Sequence, residues 1–352
     1  MSEQNNFSEE TKTESVGTDI APSRNKKKMR RSTLILGIIL PLIIVIVIIV
    51  VVFKIKGIFH TIRIDSTVTQ EDIDNYVDSY DVMVPLTDEN GYLIRQEVKK
   101  IVVFGNYPFA ADADSPDGMA ALLAEATGAE VINCSIDGSR IGSSSLEMPS
   151  VSNPMDIYTP YYLTALMSYK NEIYDEFIKC GQLLGADKPS NADEVVKTLY
   201  ELDPSEIDVF VFMYDSEDYW VTQRCIDSYN EYSIDTVCGN LISAFRMIKM
   251  VYTNNRIIYM SPYFNLYENE DGTTETCEFH IGMHGAPSTY FFQVGDAVNK
   301  TAEASFVDNL YGTITEDNYK PYLSDTRHLT QAGRQKLIDR LVYAINYFNK
   351  KD

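Results

Sequence analysis

The sequence predicts an α/β domain, a three-layer sandwich with a mostly parallel five-stranded sheet, preceded by one transmembrane helix. Two observations lead to this prediction. Short apolar runs alternate with segments whose apolar residues recur at helical spacing, a pattern typical of βαβ units. Near the N-terminus, Leu34 to Phe53 is an uncharged run of mostly Leu, Ile and Val that is long enough to span a bilayer.

The predicted strands are short and almost entirely apolar, as expected for strands that are buried on both faces of a parallel sheet. They are Ile101–Phe104, Val131–Cys134, Val209–Tyr214, Ile257–Met260 and Ser305–Val307.

The predicted helices lie between and after these strands. They are Ser115–Gly128, Tyr161–Leu184, Asn191–Leu202, Ile234–Tyr252 and Thr330–Phe348. Ser190 is a plausible N-cap for the third helix, because its hydroxyl can accept a hydrogen bond from a free backbone N–H. The last helix presents Leu337, Leu341 and Ile345 along one face.

The N-terminal third divides into three segments by composition. Residues 1–31 are polar and basic and are predicted to be a disordered cytoplasmic tail. Residues 32–53 form the transmembrane helix, and 54–97 are an extracytoplasmic spacer with a turn at Glu89-Asn90-Gly91. Lys and Arg are concentrated before the apolar run, which favours a single-pass cell-membrane protein with a cytoplasmic N-terminus and an extracytoplasmic domain at 98–352.

The amino-acid composition limits the classes of partner that the protein can bind. The chain has a net charge of −21, and the acidic excess lies beyond the basic tail. Such a domain repels nucleic acid, because nucleic-acid affinity depends on Lys and Arg that neutralise phosphates. Five cysteines without a C-x-x-C pair match no zinc or redox motif. The sequence allows one disulfide, for example between Cys225 and Cys238.

Polar residues follow the predicted strands at their carboxyl ends, where sites form in open α/β sheets. They are Gly105-Asn106-Tyr107, Ser135-Ile136-Asp137-Gly138-Ser139 and Asp215-Ser216-Glu217-Asp218. Just before the last helix stands Asp325-Thr326-Arg327-His328. These blocks resemble the SGNH/GDSL hydrolase superfamily over about residues 98–349. The resemblance implies a flavodoxin-like sandwich, no cofactor, and ester hydrolysis or O-acyl transfer on a cell-envelope glycan.

The resemblance also assigns roles to five residues. His328 would be the general base, Asp325 would orient its ring, and Gly138 would be a backbone donor to the oxyanion. Tyr107 falls where the family has its nucleophilic serine, and Glu217 falls where the family has an asparagine that donates to the oxyanion. A phenol with a pKa near ~10 is a poor substitute for that serine. An ionised Glu217 would repel the developing negative charge.

Three interpretations follow from these substitutions. The domain transfers or hydrolyses acyl groups with His328 activating another hydroxyl, such as Ser139 or Ser216. Alternatively, it is a non-catalytic binding module at the cell surface. In the third interpretation a metal ion is bound by Asp215, Glu217, Asp218, Asp325 and His328.

Structural roles compete with these functional ones. His328 can pack at the start of the last helix, Asp325 can be its N-cap, and Gly138 can serve a tight turn. His280 and His284 have a spacing that suits zinc on a helix, but their stretch contains Gly and Pro and is not predicted to be helical.

Overall fold

Five parallel strands form the central sheet of the computed structural model, which describes residues 81–269 and 271–349. All of these residues belong to the second of the chain's two units, residues 69–352. Together with two strands outside this sheet, the strands of the described residues are β1 (Lys100–Gly105), β2 (Glu130–Asn133), β3 (Val209–Met213), β4 (Arg256–Met260), β5 (Leu266–Glu268), β6 (Thr274–Thr276) and β7 (Ala304–Val307). The sheet order is β2-β1-β3-β4-β7, and β5 and β6 form a separate antiparallel hairpin. The five predicted strands and their parallel pairing are confirmed.

The helices are α1 (Tyr107–Ala110), α2 (Met119–Thr127), α3 (Pro160–Leu184), α4 (Ala192–Glu201), α5 (Glu217–Trp220), α6 (Val237–Val251), α7 (Pro287–Thr301), α8 (Asn309–Gly312) and α9 (Gln331–Asn346). All five predicted helices are present. Ser190 is not the N-cap of α4, because Asn191 takes that position without a side-chain hydrogen bond. Helix α7 was absent from the prediction, although Pro287 at its first turn is a recognised start signal.

Two groups of helices cover the sheet. Helix α2 packs against α9, and α3 packs against α6, which in turn contacts α7. Every residue of β3, β4 and β7 is buried, so both faces of the sheet are covered, as parallel sheets require. The strand order corresponds to the flavodoxin-like 2-1-3-4-5 arrangement, in which sites form beyond the carboxyl ends of the strands.

Residues 81–97, predicted as part of the spacer, pack against the sheet. Val82 and Phe306 exchange backbone hydrogen bonds of 3.0 and 2.8 Å, and the N–H of Val84 donates to Ser305 Oγ at 2.9 Å. The predicted turn at Glu89-Asn90-Gly91 is present, with Gly91 at φ +82°. The fold therefore includes residues on the N-terminal side of the predicted boundary at 98.

The predicted tail, the transmembrane helix at 32–53 and the spacer up to residue 80 lie outside the described residues. Within 81–269 and 271–349, no helix combines the length and the apolar character needed to cross a bilayer.

Candidate active site

A pocket of about 330 Å³ opens at the carboxyl edge of the sheet. It is lined by Asn106, Tyr107, Asp137, Gly138, Asp215, Glu217, Arg327 and His328. The four segments that the sequence singled out therefore meet in one cavity. Asp325 lies behind the pocket, in contact with the His328 ring.

The turn after β1 depends on two residues. A Cβ on Gly105 would lie 2.3 Å from the carbonyl oxygen of Met213 on β3, so only glycine allows this close approach. Asn106 is buried, and its Nδ2 donates to Asp215 Oδ1 at 2.7 Å and to the Ser139 carbonyl at 3.1 Å. Its Oδ1 accepts from the N–H of Asp215 at 2.8 Å. Asn106 thus ties together the loops that follow β1, β2 and β3.

Gly138 lies in the loop after β2 at φ +72°, a conformation that favours glycine. Its backbone N–H has no hydrogen-bond partner among the described residues, so it is available to a ligand in the pocket. The same loop is held by the buried carboxylate of Asp218, which accepts from the N–H groups of Ile141 at 2.9 Å and Gly142 at 2.8 Å. Gly138 combines the turn role with an exposed donor.

Asp325 and His328 form a closely bonded pair. Asp325 Oδ2 lies 2.6 Å from His328 Nδ1, and Oδ1 accepts from the backbone N–H groups of Arg327 and His328 at 2.9 and 2.8 Å. Burial opposes ionisation of Asp325, but these hydrogen bonds and the nearby imidazole outweigh it and lower its pKa to about 2. The ionised carboxylate favours the tautomer with the proton on Nδ1, which leaves Nε2 as the basic nitrogen.

The interpretation of Asp325 as the N-cap of α9 is wrong. Thr330 is the N-cap, and its Oγ1 accepts from the N–H of Gly333 at 3.1 Å. A residue from another segment also holds the loop that carries His328, because the Tyr263 hydroxyl donates to the Arg327 carbonyl at 2.8 Å. Asp325 therefore acts on the loop and on the His328 ring rather than on the helix.

Tyr107 packs directly against the imidazole. The two ring centroids are 4.6 Å apart with the rings tilted by 54°. Burial raises the pKa of Tyr107, with Arg334 opposing and Asp325 among the carboxylates that add to the shift. The phenol is accordingly neutral at physiological pH and is a weaker nucleophile than an ordinary tyrosine.

Glu217 faces Arg327 across the pocket, with 3.6 Å between Oε2 and Nη1. Burial and the neighbouring Asp215 raise the pKa of Glu217, and Arg327 opposes them. Burial likewise raises the pKa of Asp215, against the hydrogen bonds from the Glu217 N–H and Asn106. Arg327 was missed by the sequence reasoning, since nothing but its place between Asp325 and His328 marked it.

The two serines considered as replacement nucleophiles do not line the pocket. Ser139 is buried, and its hydroxyl donates to the Gly105 carbonyl at 3.2 Å. Ser216 is buried, and its oxygen accepts from Asn265 Nδ2 at 2.9 Å. Both hydroxyls have structural partners, and neither is placed to be activated by His328.

The metal interpretation also fails on geometry. Within the part of the chain that the structure describes, no three His, Cys, Asp or Glu side chains are grouped so that they could hold a metal ion. Asp218 is engaged by backbone N–H donors. His284 Nε2 contacts the Thr222 carbonyl at 2.8 Å, whereas His280 stacks on Tyr267 with ring centroids 5.1 Å apart.

Proteins similar to this chain were found among solved structures. No family model matches the sequence, and no curated protein matches it. Solved structures similar to the chain include a protein from Lactobacillus plantarum, with 13% identity, TM-score 0.44 and coverage of 72% of this chain and 99% of that chain. A protein from Slackia heliotrinireducens assigned to the SGNH hydrolases has 14% identity, TM-score 0.36 and coverage of 70% and 97%. A carbohydrate acetylesterase from Sinorhizobium meliloti has 11% identity, TM-score 0.37 and coverage of 71% and 99%.

The solved structures similar to this chain thus include one assigned to the SGNH hydrolases and a lipolytic protein of the G-D-S-L family. The domain has an α/β fold with five parallel strands in its main sheet. Because the identities are low and these TM-scores are below 0.5, the interpretation of the pocket rests on its own geometry.

Proposed function

We propose that this domain binds a neutral, hydroxyl-rich ligand, such as a cell-envelope glycan, and forms no acyl–enzyme intermediate. One observation carries the proposal: none of the residues that line the described pocket is a serine, threonine or cysteine. The side chain that packs against His328 is Tyr107, whose pKa is raised by burial. Nucleophilic catalysis needs an activated nucleophile within hydrogen-bond reach of the base.

The charges of the pocket favour a neutral ligand. Arg327 is compensated by Glu217 at 3.6 Å, so it is not free to bind a phosphate or a carboxylate. Asp137 and Asp215 add further negative charge to the lining, which disfavours anions. The Gly138 N–H and the carboxylates can hydrogen-bond to hydroxyl groups, and the Tyr107 ring offers an apolar face beside them.

The ligand test is calorimetric titration of the full-length chain, in detergent, with acetylated xylan fragments, deacetylated xylan fragments and polygalacturonate. We expect binding of one or both neutral glycans and none of the anionic one. Tyr107→Ala should weaken that binding at least about fivefold, because an aromatic contact of ~1 kcal/mol or more is lost. Tyr229→Ala is the matched control, since Tyr229 is fully exposed and does not line the pocket. Equal affinities for both variants, or no binding at all, would refute the proposal.

We further propose that the domain is held on the outer side of a membrane. The support is the apolar run from Leu34 to Phe53 and the cluster of basic residues before it. Protease added to intact cells that express the chain should digest the domain and spare the tail. Digestion that requires permeabilised cells would contradict this orientation.

One observation favours a second candidate function, which is hydrolysis without a covalent intermediate. Asp325 and His328 remain paired at 2.6 Å. In this reaction His328 Nε2 takes a proton from water, the water oxygen attacks the ester carbonyl, and the Gly138 N–H stabilises the oxyanion. The C–O bond then breaks, and the alcohol leaves with the proton from the imidazolium. Ester turnover that depends on His328 distinguishes this function from binding alone.

A further inference from the structure

Two buried thiols face each other on the side of the domain that carries α6 and α7. Cys225 Sγ and Cys238 Sγ are 3.8 Å apart, and neither is bonded to another cysteine. The N–H of Cys238 donates to the Cys225 carbonyl at 3.0 Å, so the two backbones are in direct contact. We propose that Cys225 and Cys238 are a disulfide-forming pair that closes the loop 226–237.

The backbone hydrogen bond and the contact between the two sulfur atoms hold both cysteines close together. Disulfide-bonded residues typically have Cα atoms ~4.4–6.8 Å apart, a range compatible with neighbouring backbones that share a hydrogen bond. The remaining three cysteines, Cys134, Cys180 and Cys277, are buried elsewhere, and no thiol–thiol contact is described for them. The pairing is therefore selective for Cys225 with Cys238.

The bond forms by thiol–disulfide exchange with a small disulfide oxidant, RSSR. One cysteine thiolate attacks RSSR and releases RS⁻, which gives a mixed disulfide. The second thiolate attacks that mixed disulfide, which forms the Cys225–Cys238 bond and releases the second RS⁻. Two cysteine protons are taken up by the two leaving thiolates, so the balance is two thiols and one RSSR in, one disulfide and two RSH out.

This thiol–disulfide exchange takes place during folding, before the two cysteines are buried. The hydrogen bond with Cys238 and burial raise the pKa of Cys225, which suppresses the reactive thiolate once the domain has folded. Both sulfurs are nearly inaccessible, with relative exposures of 6% and 4% for the two residues. After the bond has formed, the same burial protects it from reductants. Oxidising compartments supply the oxidant, and reducing ones do not.

The bond would reinforce the loop that presents Gly138. Gln223, two residues before Cys225, donates from Nε2 to the Ser143 carbonyl at 2.9 Å and to the Asp235 carbonyl at 2.6 Å. Arg224 forms an ion pair with Asp235, which lies in the loop 226–237. A covalent closure at Cys225 would therefore restrain the segment in which Gln223 contacts Ser143 and Asp218 contacts Ile141 and Gly142.

Peptide mapping of the wild-type chain tests the pairing without relying on any variant. The full-length chain is refolded in a mixture of oxidised and reduced glutathione, alkylated and digested without reduction. Trypsin alone leaves both cysteines on the peptide 225–246, so Glu-C is added to cut after Glu231. We expect 225–231 linked to 232–246, and the other three cysteines alkylated. Recovery of the two peptides unlinked, or linked to another cysteine, would overturn the proposal.

Thermal unfolding of the chain refolded in the glutathione mixture, and of the chain refolded in the presence of reductant, gives a second readout. Closing a loop of this length should raise the midpoint of the oxidised chain by about 5–10 °C over the reduced chain. Cys238→Ser should show no response to reductant, whereas Cys277→Ser, a matched change at another buried cysteine, should keep it. A wild-type midpoint that is the same in both conditions would contradict the expected stabilisation.

Discussion

Replacement of Asp218 by Asn should change how stability depends on pH. Burial raises the pKa of this carboxyl from 3.8 to about 6, although the N–H groups of Ile141 and Gly142 oppose the shift. Because the folded-state pKa lies above the unfolded one, the folded state binds the proton more tightly, and stability falls as pH rises through this interval. A shift of about two units corresponds to about 3 kcal/mol, of which about 2–3 kcal/mol is lost between about pH 4 and pH 7.

Urea denaturation of the wild type and of Asp218→Asn at several pH values measures this loss. The variant cannot titrate at this position, so the wild-type free energy of unfolding minus that of the variant should fall by about 2–3 kcal/mol over the interval. Asp114→Asn controls for the loss of one negative charge, because Asp114 is exposed. A wild-type minus Asp218→Asn difference that stays constant with pH would refute the reasoning.

Three further predictions concern the pocket. Gly138→Ala has open space for its Cβ but must adopt φ +72°, so the midpoint of thermal unfolding should fall by about 2–6 °C, whereas Gly333→Ala, with a carbonyl 2.2 Å from its Cβ, should lose far more. Asn106→Ala leaves the partners of a buried amide unsatisfied and should cost about 2–3 kcal/mol in urea denaturation. Tyr107→Ser with Glu217→Asn should create p-nitrophenyl acetate hydrolysis, and its absence would count against an SGNH-type site.

The sheet was predictable because its strands are buried on both faces. Runs such as Val209–Met213 are uninterruptedly apolar, and the burial of every residue in that strand is the physical origin of the pattern. Helix α7 was not predicted for two reasons. It follows directly after a stretch that contains Gly and Pro, and it has a glycine, Gly295, in its interior. That glycine is explained by packing, since a Cβ there would lie 2.7 Å from the Phe306 ring.

The site was predictable only in outline. The positions of Tyr107 and His328 could be predicted because Tyr107 follows the end of a predicted strand and His328 precedes a predicted helix. The roles of Asn106, Asp218 and Arg327 depend on partners far away in sequence, such as Asp215 for Asn106 across 109 residues. No local periodicity encodes such contacts, so the structure was needed to find them.

We propose that the domain binds its ligand without hydrolysing esters, because no hydroxyl nucleophile lines the described pocket beside His328. The most direct test of this proposal is hydrolysis of p-nitrophenyl acetate and acetylated xylan by the full-length chain beside His328→Ala. We expect both proteins to show the same background turnover, because no hydroxyl nucleophile lines the described pocket. Turnover by the full-length chain that His328→Ala abolishes would contradict binding without catalysis and would favour hydrolysis by a water molecule that the Asp325–His328 pair activates.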